Sequence, residues 1–166
     1  RNGIEQIKSH EGERRIDSSL ITKSVRNENA KSHIGDYVIS AIVSTYNSER
    51  FIRECLEDLE AQTISDELEI IVVNSGSEQN ERAIVKEFQE KYPNIRYIET
   101  DQRETVYAAW NRGIKAATGK YITNANTDDR HRKDAFEIMV NTLKRRPEVD
   151  LVYADLIVSA TENEPF

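Results

Sequence analysis

The stretch NANTDDRH, residues Asn124 to His131, puts two adjacent carboxylates, Asp128 and Asp129, directly behind the apolar run Tyr121, Ile122 and Thr123. Neighbouring like charges repel, so the pair either faces open water or has a cation to share. A second reading is helical: acids in a first turn complement the macrodipole, and TDD is an ordinary helix start. Arg130, His131, Arg132 and Lys133 follow. Such bases suit a diphosphate neighbour and equally suit a solvated face. His131 on its own reads as an exposed surface residue.

What precedes these residues decides between the readings. Tyr37 to Thr45, YVISAIVST, is β-branched and bounded by polar residues, and predicts a buried strand. Ser48 is a candidate N-cap for a helix in which Ile52, Leu56 and Leu59 recur at helical spacing as far as Gln62. Leu68 to Asn74, LEIIVVN, is a continuous apolar run that suits a sheet covered on both faces. Ser77 is the candidate cap of the next helix, striped by Ile84, Val85, Phe88 and Tyr92 and stopped at Pro93 and Asn94. Ile95 to Glu99 is a third strand, Thr105 to Thr118 a third helix ended by Gly119, and Tyr121 to Ala125 a fourth strand. A helix with Phe136, Met139, Val140 and Leu143 on one face then stops at Pro147, before a last run, Leu151 to Ser159.

Strand and helix thus alternate, which calls for a parallel sheet between helical layers. Ligands of such sheets sit at the carboxyl ends of the strands. Those ends are Ser44 to Asn47, Asn74 to Ser77 and Asn126 to Asp129, so three polar clusters are expected to converge on one edge. The carboxylates then belong to a crevice.

Composition narrows what that crevice serves. The 166 residues fit one domain, 37% of them hydrophobic and 32% charged. A formal charge of −7 argues against a non-specific nucleic-acid binder. The single cysteine, Cys55, excludes an internal disulfide and a Cys-rich zinc site; it reads as a small core residue in a reducing compartment. No stretch of 18 apolar residues exists, so no membrane span is expected in this chain, and the charged start is no secretory signal. Residues 1–36 hold no aromatic residue and closely spaced charges of both signs, and read as a partly helical or mobile appendage to a domain over 37–166. The chain begins at Arg1 rather than methionine, so segments outside it are expected.

The ordered pieces VSTYN, AQT, EIIVVNSGS, YAAWNRGIKAATGKYI and NTDD resemble the nucleotide-sugar-binding half of family 2 glycosyltransferases, inverting enzymes of the GT-A fold. The resemblance covers Tyr37 to about Ser159. It implies a Rossmann-like, three-layer α/β/α domain with a mostly parallel sheet. It also implies transfer of a sugar from a nucleotide-diphosphate donor, most often a UDP-sugar, to an acceptor the sequence does not identify. The leaving diphosphate needs charge stabilisation, which a divalent Mg or Mn ion supplies. By the family pattern Asp128 is the metal ligand, Asn126 and Thr127 lie near ribose or diphosphate, and Asp129 is an acid that either supports the metal ligand from behind or contacts the sugar. Ser44, Thr45, Tyr46, Asn47, Asn74 and Ser75 would line the base and ribose pocket, and Asn111 and Arg112 would approach the nucleotide or sugar.

Three family acids are replaced: Asn74 and Ser75 stand in the DDGS-like turn, and Asn126 begins the DxD-like motif. Each change removes a charge and keeps a hydrogen-bonding group. A non-catalytic nucleotide-binding module of the same fold is therefore the alternative to the enzyme. A nucleotidyltransferase is disfavoured, because STYNSER lacks a glycine-rich, lysine-containing loop. The family's general base is expected beyond Phe166, so this chain by itself is not expected to transfer sugar. A cytoplasmic location is expected, including the cytoplasmic face of a membrane reached through segments outside this chain.

Overall fold

The computed structural model describes residues 37–158 and Thr161; the appendage 1–36 and Ser159 lie outside them. In chain order the elements are β1 (Ile39–Thr45), α1 (Glu49–Glu60), β2 (Leu68–Ser75), α2 (Glu81–Lys91), β3 (Ile95–Thr100), α3 (Val106–Ala116), β4 (Tyr121–Asn124) and α4 (Ala135–Arg145). A single 3-10 turn, Ser65–Glu67, leads into β2. Among the described residues the sheet has four strands in the order β3-β2-β1-β4, and every pairing is parallel.

Alternation along the strands sorts the side chains into two cores. Ile39, Ala41 and Val43 of β1 and Leu68, Ile70 and Val72 of β2 meet Ile52, Leu56 and Leu59 of α1, Val85 and Phe88 of α2, and Phe136 and Val140 of α4. On the opposite face Ile42, Ile71 and Val73 meet Ala109 of α3, with Trp110 at the margin. The domain is a three-layer α/β/α sandwich, and β2, covered on both faces, is buried along its whole length. Burying these strands on two sides is what the continuous apolar run of β2 dictates.

The order of the strands fixes where a ligand can enter. β1, β2 and β3 step outward in one direction, and β4 returns to the other side of β1. The connections therefore part between β1 and β4, and the carboxyl edge at that switch point is where ligands of such sheets bind. Thr45 pairs with Asn74 across β1 and β2, while Ile42 pairs with Asn124 and accepts from the Ala125 N–H at 2.9 Å. The turns after β1, β2 and β4 consequently rise from one edge.

Of two expected helix caps, one is corrected and one is met in position. Asn80, not Ser77, occupies the N-cap of α2, because Ser77 is held in the preceding turn. Ser48 does stand at the N-cap of α1, yet its hydroxyl donates back to Tyr46 O at 3.1 Å rather than capping the helix. The last apolar run has no ladder: over 151–158 the chain is irregular.

Candidate functional site

The first turn is held in an uncommon backbone state. Asn47 has φ of 51°, a left-handed conformation that asparagine tolerates better than most residues. Its N–H donates to Ser77 Oγ at 3.0 Å, and its Oδ1 accepts the Glu78 N–H at 3.1 Å. Just before it, Trp110 Nε1 donates to Ser44 Oγ at 3.2 Å. The half-buried Tyr46 presents its ring to the Arg103 guanidinium, 4.2 Å from the ring centroid. Thr45 is buried beneath them.

The second turn closes on itself. Asn74 Oδ1 accepts the Ser77 N–H three residues on at 2.8 Å, while its Nδ2 donates to the Tyr97 hydroxyl at 2.8 Å. Gly76 occupies φ of 64°, and a Cβ there would stand 2.7 Å from the backbone carbonyl carbon of Gln102. Ser75 Oγ accepts the Glu104 N–H at 2.5 Å, so the segment after β3 is fastened to this turn. Asn74 and Ser75 are both buried, and their polar atoms are engaged by the protein. Burial also pushes the Tyr97 phenol up to about 12, so it stays protonated at neutral pH.

The third turn carries the acids. Asn126 Nδ2 donates to Asp129 Oδ2 at 2.9 Å, and the Asp129 N–H returns to Asn126 O at 3.2 Å. Thr127 is buried between them, and Cys55 lies below with its Sγ 3.7 Å from Asn126 O. Burial pushes the Cys55 thiol up to about 12, which keeps it protonated and inert. Asp128 is exposed, and among the described residues no hydrogen bond or ion pair engages its carboxylate.

Beyond the acids the chain is locked from below by the end of α1. Asp58 accepts from Arg130 Nε at 2.6 Å, Arg130 Nη2 at 2.8 Å and the His131 N–H at 2.9 Å. Burial would raise the Asp58 pKa, but Arg130 and the His131 N–H outweigh it and hold the carboxyl below its usual range. Gln62, the central residue of AQT, donates to Arg132 O at 2.9 Å and accepts the Phe136 N–H at 3.1 Å, inside the first turn of α4. The basic run is thus turned toward the protein's own acids, since Arg132 also pairs with Asp134. His131 is not the exposed residue expected: it packs edge-on against Phe136 at 5.4 Å, and burial lowers its pKa, leaving it neutral at pH 7.

Asn111 and Arg112 are exposed on α3 and line, with Glu104, Ala108 and Lys115, an open groove of about 340 Å³. Arg112 is engaged in a two-bonded pair with Glu104 at 2.6 and 2.5 Å. It reaches the second turn through Glu104, whose backbone clamps Ser75. Sequence reasoning missed Arg103, Glu104, Glu81, Asp58 and Gln62. The one available signal was for Gln62, a polar residue at the end of an apolar helical stripe.

As a donor set, a single unengaged carboxylate in the turn after β4 matches how a magnesium or manganese ion is held jointly by protein and phosphates. Among the described residues no group of three or more His, Cys, Asp or Glu side chains could enclose a metal on its own. No helix among them is long and apolar enough to cross a membrane.

Comparison with known proteins gives a consistent result. The family model described as Glycosyl transferase family 2 matches residues 40–163. The minor teichoic acid biosynthesis protein GgaB of Bacillus subtilis is 34% identical over 119 residues, 70% of this chain and 13% of that protein. The uncharacterized glycosyltransferase YibD of Escherichia coli is 37% identical over 105 residues, 63% of this chain and 29% of that protein. Among solved structures, residues 1–349 of S. aureus TarS in complex with UDP match with a TM-score of 0.62 and 26% identity, over 66% of this chain and 32% of that one. The mannosyltransferase PcManGT from Pyrobaculum calidifontis, in complex with GDP-Man and Mn2+, matches with a TM-score of 0.61 and 26% identity, over 66% and 33%. The chain spans less than half the length of each of these relatives.

Proposed function

Because this chain belongs to glycosyl transferase family 2, we propose that its crevice binds the nucleoside diphosphate of a sugar donor, and that the protein passes the sugar to an acceptor hydroxyl with inversion. The observation that carries the reading is that three turns leave one sheet edge, with the Asp128 carboxylate exposed and unengaged on the third of them. The Tyr46 ring and the Arg103 guanidinium offer a flat, partly cationic surface to a nucleobase. Asn47 and Ser77 fix the turn that holds Tyr46 in place. Both acids are exposed, but Asn126 engages Asp129 by a hydrogen bond, which leaves the Asp128 carboxylate the unengaged one of the pair. Asp128 would hold a divalent ion, with the Asn126 amide oxygen as a second, neutral oxygen donor. Such an ion, when bound, stabilises the negative charge of the departing diphosphate. Asn74 and Ser75, engaged within the protein, serve as a frame for the pocket rather than as readers of the base.

The relatives support a nucleotide-sugar donor of either base class, since TarS is seen with UDP and UDP-GlcNAc and PcManGT with GDP-Man. We take a uridine donor as the first to test, a residue beyond Phe166 as the general base, and the cytoplasm as the place of action. Titration calorimetry with uridine diphosphate should show binding that depends on Mn2+. Asp128→Asn should remove that dependence, lowering affinity in Mn2+ at least tenfold, about 1.4 kcal/mol. Wild-type affinity in Asp128→Asn would overturn the assignment. Binding indifferent to metal would favour a nucleotide-binding module, which the replacement of charge at Asn74, Ser75 and Asn126 also suits. Sugar transfer by this chain alone would refute the placement of the general base.

A further inference from the structure

Glu81 opens α2 and is wholly buried, which a carboxylate placed only to complement its helix dipole has no reason to be. Its side chain turns away from its own helix. Oε1 accepts the backbone N–H of Ser48 at 2.6 Å, at the N-cap of α1, and stands 3.5 Å from Thr45 Oγ1. Oε2 accepts the Ser77 hydroxyl at 2.6 Å, and that same Ser77 oxygen accepts the N–H of Asn47. One carboxylate therefore grips the chain on both sides of Tyr46 and Asn47 and ties it to the turn after β2.

The neighbouring bonds reinforce this link in both directions. The Glu49 N–H donates to Gln79 Oε1 at 3.1 Å, and Glu49 Oε2 accepts the Asn80 N–H at 3.4 Å. The starts of α1 and α2 thus supply each other's caps, which neither helix provides from its own N-cap side chain. A left-handed Asn47 stays in that conformation only where its surroundings over-determine it. Glu81 is the buried centre of those surroundings.

We infer that Glu81 is a positioning residue of the donor site: through Ser48 and Ser77 it holds the Tyr46–Asn47 turn in the shape that receives the nucleotide. This rests on the donor-site reading above. If losing the carboxylate leaves the turn correctly formed about a tenth of the time, apparent affinity falls about tenfold, with no contact to the ligand removed.

The test compares Glu81→Ala, Glu81→Gln and Ser77→Ala in the whole chain, reading uridine diphosphate affinity in Mn2+ and amide hydrogen exchange at residues 46–49. Glu81→Ala should weaken binding about tenfold and speed exchange at these amides. Glutamine can keep its oxygen on the Ser48 N–H and place its amide against Ser77 Oγ, whose hydroxyl then turns to Asn47 Oδ1, 3.1 Å away. Glu81→Gln should therefore rescue, with affinity within about threefold of wild type. Ser77→Ala, a milder change, should weaken binding and loosen the turn even if Glu81→Ala does not fold. Lowered thermal stability with unchanged affinity and unchanged exchange at 46–49 would overturn the inference and leave Glu81 a purely structural residue. Absence of uridine diphosphate binding in the wild type would sink the donor-site reading instead, while exchange would still decide whether Glu81 holds the turn.

Discussion

Asn74 stands where the family pattern has an acid, and both ends of its amide are engaged: the oxygen on the Ser77 N–H and the nitrogen on the Tyr97 hydroxyl. An aspartate of the same shape could accept from both groups, since the Tyr97 phenol keeps its proton and can turn to donate. The change from acid to amide therefore alters the charge of the crevice more than its frame. Truncation is different, because it strands a half-buried N–H and a half-buried hydroxyl. Asn74→Ala should lower stability by about 2 kcal/mol, the cost of leaving such groups unpaired. Asn74→Asp should cost less than half of that and leave nucleotide affinity within about threefold, the side chain being only 1% exposed. Urea denaturation and calorimetry on the two variants check the pair. Equal destabilisation by both would show that the amide N–H itself is what the turn requires.

α3 reaches the site through its seat on the sheet. Gly113 lies in its interior, where alanine would normally favour the helix by about 1 kcal/mol. A Cβ at that position, however, would fall 2.3 Å from Cγ2 of Ile42, a fully buried residue of β1. Overpacking costs about 1–3 kcal/mol, and so short a contact with a fully buried branched side chain falls in the upper part of that range, about 2–3 kcal/mol, so packing should outweigh propensity. Gly113→Ala is expected to destabilise by about 1–2 kcal/mol and to loosen the Trp110 hold on Ser44, one turn away on the same helix. Adding Ile42→Ala should make the two effects non-additive, since it opens the space that the new methyl needs. A Gly113→Ala variant as stable as wild type, by thermal denaturation, would mean that α3 slides freely and does not position Ser44.

For the molecule as a whole, the layered fold was legible because it is written in local pattern: the run Leu68 to Val73 has to be covered on both sides wherever it lies. The shared edge was legible through the rule that parallel strands end together, which puts the turns carrying Asn47, Asn74 and Asp128 at one end of the sheet. What was not legible is the wiring, because Glu81, Gln62 and Asp58 act on partners 33 to 74 residues away, and no spacing in one sequence encodes those contacts. The last apolar run marks the same limit from the other side. Leu151, Tyr153, Leu156, Ile157 and Val158 have the composition of a strand, yet among the described residues no strand pairs with them and they are 77–85% exposed. β4 meanwhile lies at the edge of the sheet with Ile122 46% exposed. An exposed apolar segment without regular structure and a sheet edge on one molecule are complementary between copies, since the segment of one can add a strand to the edge of the other. The 166-residue chain should therefore associate as concentration rises and bind a hydrophobic dye. Replacing Leu156 and Ile157 together by lysine should suppress both without changing the circular dichroism, because those side chains bury little in the folded chain. Sedimentation velocity on the two proteins decides: a wild-type chain that stays monomeric at high concentration would show that the exposed run does not pair between copies.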